Sequence, residues 1–200
     1  FPQYSTTTTL SIFELIKSII KKDKSFFKNT HISAVNDFHD NNLYIKSCAT
    51  KIRTTQQRIG KPDKLLFSFH GIPQSYICDD EPYQSQCLST ASLIARELNL
   101  DESQYEVAFQ SRFGKAEWIK PYLSSRLEEL PKEGIQNIHV FCPGFSSDCL
   151  ETIDEIGRES KEEFFEHGGK SFEFIPCLNS EESFISALMQ IQKKANIKIL

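Results

Sequence analysis

Apolar positions follow two rhythms along this chain. Short apolar runs lie at Lys64–Phe69 (KLLFSF), Tyr105–Ser111 (YEVAFQS), Asn137–Pro143 (NIHVFCP) and Ser171–Cys177 (SFEFIPC). Each is too brief for a helix and rich in aromatic or branched residues, which predicts a buried strand. Between them, apolar residues recur at helical spacing. Leu10, Phe13, Ile16 and Ile20 mark an amphipathic helix behind a Ser/Thr cluster that supplies N-cap candidates. Residues 43–60 read as a helix closed by Gly60, and residues 81–100 carry Cys87, Ala91, Ile94, Ala95 and Leu98 on one side. A helix is expected from Pro121, with proline in its first turn. Cys149 to His167 reads as one long acidic helix stopped by Gly168-Gly169, and a last helix starts behind Ser180, paired with Ser183 in a capping-box pattern. Residues 31–38 are a further candidate strand.

Strands that alternate with helices at these spacings pair in parallel through crossovers. The expected fold is therefore α/β: a Rossmann-like parallel sheet covered by helices on both faces. In such sheets, ligands bind beyond the carboxyl ends of the strands. His70 stands at one such end, followed by Gly71 and Pro73, which forbid the strand to continue. The stretch Pro143–Asp148 stands at another. Both are expected at the same edge of the sheet.

Glu151, Glu155, Glu159 and Glu163 follow at intervals of four, on one helix face. Like charges at that spacing repel, so the row is either a solvated acidic face or one that receives cations. Glu151, next to the loop and within reach of His70, is the member for which a functional role weighs most. His70 itself is either a satisfied cap on the sheet or a functional imidazole. One His and one Glu do not make a closed zinc site, which takes three or four protein ligands. They do suit an open, exchangeable site for a divalent ion. Cys149 opens the acidic helix, but neighbouring carboxylates oppose a thiolate there. Ser68 is read as facing away from His70. His139, inside a strand, is expected to be structural, and His167, at a helix end, to interact with the helix dipole.

Composition narrows the picture. The chain has 200 residues with 39% hydrophobic, among them 16 Phe, enough for a sizeable core. A net charge of −4 gives no basic footprint for nucleic acid. No apolar run approaches the roughly 20 residues that cross a bilayer. The six cysteines form no CxxC pair, so they are expected to be reduced thiols of a cytoplasmic protein. The start at Phe1 suggests a piece of a longer chain. The glycine fingerprint of a nucleotide-binding Rossmann module is absent from the sequence, as is the G-x-S-x-G nucleophile elbow.

Four stretches in register, FSFHGIP, EPYQSQC, AFQSRFGKAEWIKPY and CPGFSSDCLETIDEI, resemble the ferrochelatase family, in particular its proteobacterial branch. The opening FPQYSTTTT matches a segment that lies mid-chain in that family. The resemblance spans nearly all of the chain and implies the carboxy-terminal two-thirds of a typical member. It implies two similar Rossmann-like halves with a porphyrin between them. Residues 1–42 would close the first half, 43–175 form the second, and 176–200 return to the first. It further implies insertion of Fe2+ into protoporphyrin IX with release of two protons, the last step of haem synthesis, or else an inactive isolated part. The family's metal-side histidine falls on His70 and its partner glutamate on Glu151, as catalytic and metal-binding residues. Its acidic ladder continues through Glu155, while Gln110, Ser111 and Trp118 fall near the cleft as supports. Animal members carry histidine at the position of Cys149. No tightly bound cofactor and no iron–sulfur cluster is expected, since Fe2+ is substrate. Poorly soluble haem makes a peripheral membrane contact reasonable. His70 and Glu151 would supply one wall of the porphyrin site, with the other outside the chain.

Overall fold

The computed structural model describes residues 1–195 and 197–198. Four strands form a parallel sheet: β2 (Lys64–His70), β3 (Tyr105–Gln110), β4 (Asn137–Phe141) and β5 (Ser171–Ile175), in the order β3-β2-β4-β5. The strands that were expected only to end at the same edge, β2 and β4, are also direct neighbours, paired from Lys64 opposite Ile138 to Phe67 opposite Phe141. β2 and β3 run in register from Leu65–Tyr105 to His70–Gln110.

Alternation along β2 explains its continuous apolar run. Leu65, Phe67 and Phe69 enter one core with α2 (Asn42–Ile59), α3 (Tyr83–Glu97) and α7 (Glu182–Lys193). Leu66 enters the other, with α4 (Leu123–Lys132), Ile156 and Phe164. A strand buried on both faces has no polar side to show, so its sequence does not alternate. This is the α/β sheet with helices on both faces that the strand–helix alternation predicts.

Several local expectations are corrected. The stretch 31–38 holds only a two-residue strand, β1 (Ser33–Ala34), paired antiparallel with β6 (Ile197–Lys198). Pro121 is not in a helical first turn; a cis Lys120–Pro121 bond precedes α4, which starts at Leu123, while Pro131 lies inside that helix. The acidic helix is three pieces: α5 (Leu150–Ile153), a π-helical stretch (Glu155–Ser160) and α6 (Lys161–Glu166). The N-cap of α7 is Glu181, with no side-chain cap bond, so the Ser180–Ser183 box is absent. Ahead of α1 (Ser11–Lys22), Thr6–Leu10 form a π-helical turn whose Thr7 N–H is capped by the Ser5 hydroxyl. No described helix is long and apolar enough to cross a membrane.

Gly168, at φ +99°, ends α6, and the residue after it, Gly169, is glycine for a steric reason. A Cβ added there would fall inside the ring of Phe164, which is fully buried. Overpacking of this kind costs about 1–3 kcal/mol. Gly169→Ala should lower the unfolding free energy by that amount, read as a lower midpoint at unchanged slope in a urea titration.

His139 lies in β4 between Leu65 and Glu173 and is 2% exposed, with no partner for Nδ1 among the described residues. Burial disfavours its charged form and lowers its pKa from 6.5. The unfolded chain therefore takes up the proton first as pH falls. Stability is unaffected by this group above about pH 6.5 and declines below it, by up to about 1.4 kcal/mol per pH unit, until the depressed folded value is passed. Urea midpoints measured between pH 7.5 and 5.5 should fall in the wild type and flatten in His139→Leu.

Candidate functional site

His70 ends β2, and the chain bends there because of what lies beside it. Gly71 donates its N–H to the Gln110 carbonyl at 2.8 Å. A Cβ on Gly71 would stand 3.1 Å from that same oxygen and 3.1 Å from Trp118 Cε3. Only glycine lets the backbone and the indole approach so closely. Ile72 and Pro73 then pair with the segment around Trp118, where Ile119 N–H reaches Ile72 O at 3.0 Å.

The His70 ring is held by its own turn. Nδ1 lies 2.7 Å from the Gly71 carbonyl oxygen. A carbonyl only accepts, so Nδ1 carries a proton, and in the neutral ring the lone pair is on Nε2. The Tyr83 hydroxyl donates to the His70 carbonyl at 2.8 Å, which ties α3 to the strand end.

The loop after β4 ends at Cys149, the N-cap of α5, and places Glu151 in the first helical turn. The Cys149 thiol and the Glu151 backbone N–H hydrogen-bond its carboxylate and hold its pKa below the ordinary value. Slight burial opposes them, and nearby His70 adds to the lowering. Glu151 is therefore a carboxylate at neutral pH. Burial, followed by the Glu151 carboxylate, pushes the Cys149 thiol up, so this cysteine is a donor and not a thiolate.

His70 and Glu151 line one cavity of about 410 Å³. Gly71, Ile72, Pro73, Tyr76 and Tyr83 line it from the β2–α3 side, Phe113 and Trp118 from the β3–α4 connection, and Gly144 and Phe145 from the loop after β4. Phe1, Gln3, Ser5, Thr7 and Thr8 complete it. The chain's own first residues thus line the space with His70 and Glu151. Their signal in the sequence was the FPQYSTTTT motif, whose place beside the strand ends no spacing rule discloses. Trp118 is 5% exposed, stands 6.4 Å from the His70 ring, and leaves its Nε1–H without a partner among the described residues.

The remaining sequence-derived residues converge nearby. Gln110 Nε2 donates to the Glu151 carbonyl at 2.8 Å and to Glu155 Oε2 at 3.3 Å. Ser111 donates to Glu155 twice, through N–H and through Oγ, each at 2.6 Å. It does so from a left-handed backbone, φ +64°, a conformation that costs a non-glycine residue about 1 kcal/mol. Ser68 was expected to face away from His70, yet residues two apart on a strand share a face. Its hydroxyl donates to Gln110 Oε1 at 2.7 Å and leaves Nε2 to bind Glu151 and Glu155.

Glu155, Glu159 and Glu163 line a second cavity of about 200 Å³, with Ser111 and Arg112. The π-helical stretch widens the turn to more than four residues, which keeps this four-residue spacing on one side. Burial raises the pKa of Glu163.

The family model described as Ferrochelatase matches residues 1–196. A ferrochelatase from Janthinobacterium sp. (strain Marseille) is 43% identical over 96% of this chain and 51% of its own length. One from Herminiimonas arsenicoxydans is 44% identical over the same shares. The chain thus spans about half the length of the curated relatives it matches, a smaller share than the two-thirds expected. The solved structure of SirB from Bacillus subtilis with Fe3+ has the same fold, at a TM-score of 0.64 and 12% identity, over 98% of this chain and 72% of that one. A generic nucleotide-binding module is thereby set aside, and the chain belongs to the ferrochelatase family.

Proposed function

We propose that this chain carries the metal-side machinery of a ferrochelatase, which inserts Fe2+ into protoporphyrin IX to form protohaem. The observation that carries the reading is the pairing of a free Nε2 lone pair on His70 with the ionised Glu151, in one largely apolar cavity. Such a space accepts a flat apolar macrocycle, and its few polar groups meet the reacting centre.

The reaction replaces two pyrrole N–H protons with one dication. Imidazole and carboxylate both ligate Fe2+. An open pair of ligands holds the ion weakly enough to surrender it. The ligand and base roles of His70 use the same lone pair, so they succeed one another: Nε2 accepts a pyrrole proton only when it is not bound to iron. Glu151 then offsets the imidazolium charge. The second proton leaves through Glu155, which Gln110 and Ser111 hold in place, and the row through Glu159 and Glu163 leads to solvent. The same row serves incoming hydrated iron. Trp118 offers its indole as a wall. Bending the macrocycle exposes its nitrogen lone pairs, so a cavity that fits the bent form favours the transition state. Fe2+ is substrate here, and no resident cluster or cofactor is assigned. A cytoplasmic location with a peripheral membrane contact at product release suits poorly soluble haem.

Anaerobic Fe2+ insertion, followed by porphyrin absorbance, tests this. The protein at its full natural length should metallate protoporphyrin well above the protein-free rate. A rate equal to the protein-free one, with folded protein, would overturn the reading. Turnover by the 200-residue chain alone would mean that the cavity described above suffices.

A further inference from the structure

Glu81 sits just before α3 and is 5% exposed. A buried carboxylate is unfavourable unless its oxygens are satisfied. Here both are. Oε2 accepts from Ser5 Oγ at 3.0 Å, from Thr6 N at 2.8 Å and from Thr6 Oγ1 at 2.5 Å. Oε1 accepts from Tyr83 N at 3.2 Å. One carboxylate thus joins two distant pieces of chain. The first carries Ser5, Thr7 and Thr8 into the cavity. The second, through the Tyr83 hydroxyl, holds the carbonyl of His70.

The chemistry demands a carboxylate. An amide at this position has one accepting and one donating end. Either orientation sets its NH2 against a backbone N–H, that of Thr6 or that of Tyr83, and neither can turn away. The amino-terminal segment has other ties to α3: Tyr4 N–H to Gln86 Oε1 at 2.7 Å, and Gln3 Nε2 to Thr90 Oγ1 at 2.9 Å. Loss of the Glu81 charge therefore releases the hydroxyl-bearing turn without releasing the whole segment.

We propose that Glu81 is a positioning residue for the porphyrin: it sets the Ser5–Thr8 wall against the His70 strand end and so fixes the shape of the space the macrocycle enters. This assignment rests on the chelatase reading above. It acts on substrate fit and not on proton transfer.

The test uses the protein at full natural length, with Glu81→Gln, Glu81→Asp and a control, Gln86→Ala. Amide hydrogen exchange and steady-state insertion kinetics are read together. Glu81→Gln should speed exchange at Thr6–Leu10 about tenfold, while β2 and β4 stay protected. It should raise KM for protoporphyrin about tenfold, with KM for Fe2+ and kcat within about twofold. Glu81→Asp should recover part of both, and Gln86→Ala should leave KM unchanged. Unaltered exchange at Thr6–Leu10 would overturn the anchoring. Faster exchange with an unaltered porphyrin KM would overturn the positioning role. If Glu81→Gln does not fold, Thr6→Val removes one of the bonds from a residue outside the cavity lining and should show the same split, more weakly; no split there would also overturn it. A wild-type protein that metallates no porphyrin would overturn the chelatase reading and this role with it, while the exchange data would still report the anchor.

Discussion

His70→Ala should abolish Fe2+ insertion in the protein at full natural length, with a loss of at least about 10²–10³ in kcat, the range for removal of a positioned acid–base group. The expectation follows from the ring's constraint. Gly71 O holds Nδ1–H, so the single lone pair directed away from the turn is that of Nε2. Alanine removes it without disturbing the strand, because His70 is part-buried at the strand end and its backbone partners, Tyr83 Oη and Gln110, remain. The far-ultraviolet circular dichroism and urea midpoint should therefore stay close to wild type. Wild-type turnover in this variant would remove His70 from the mechanism. Imidazole added to the buffer offers a second readout: partial recovery of rate would show that the missing group is the imidazole itself.

Glu151→Gln should slow insertion by about 10–10², the usual cost of losing a group that supports a metal-site ligand. The change is nearly isosteric and leaves the backbone carbonyl that Gln110 grips. What is lost is the charge. The amide no longer offsets an imidazolium at His70 and ligates Fe2+ weakly. The Cys149 thiol, which now donates to a carboxylate, would face a neutral group, and its own pKa should move back toward the ordinary thiol value because one of the causes raising it is gone. Thiol reactivity against pH then checks the geometry independently of turnover. Glu159→Gln should matter less, since Glu159 lies further along the row, in the second cavity. A larger loss there than at Glu151 would reverse the order proposed.

How much of this was legible beforehand depends on the range over which each feature is specified. β2 was legible because both of its faces are buried, so Leu65 to Phe69 read as a single apolar run. α2 was legible through its spacing and through Gly60, whose φ of +97° few other residues tolerate. The break in the acidic helix was not. Nothing in the row of glutamates distinguishes a π-helical stretch from an α-helix; Ile156 and Phe164 are buried in the core and Ser111 and Gln110 hold Glu155, contacts that no local spacing encodes. The helix start expected at Pro121 failed for a related reason. Phe109 N–H bonds the Pro121 carbonyl, and this holds the proline against the sheet instead of in a helical turn.

By itself the sequence determined the alternation of strands and helices, the parallel sheet, and the arrival of His70 and the Pro143–Asp148 loop at one edge. These follow from periodicity and from side-chain volume, which act over a few residues. The motifs in register likewise carried the family. The tertiary structure decided the rest: which nitrogen of His70 is free, that Gln110 and Ser111 serve Glu155, and that residues 1–8 line the same cavity as His70 and Glu151. The first follows from a turn between adjacent residues, His70 and Gly71, while the others depend on hydrogen bonds between groups tens of residues apart, such as those from Ser5 and Thr6 to Glu81. A donor and its acceptor leave no mark on each other's neighbours in the chain, so only the folded arrangement brings them together.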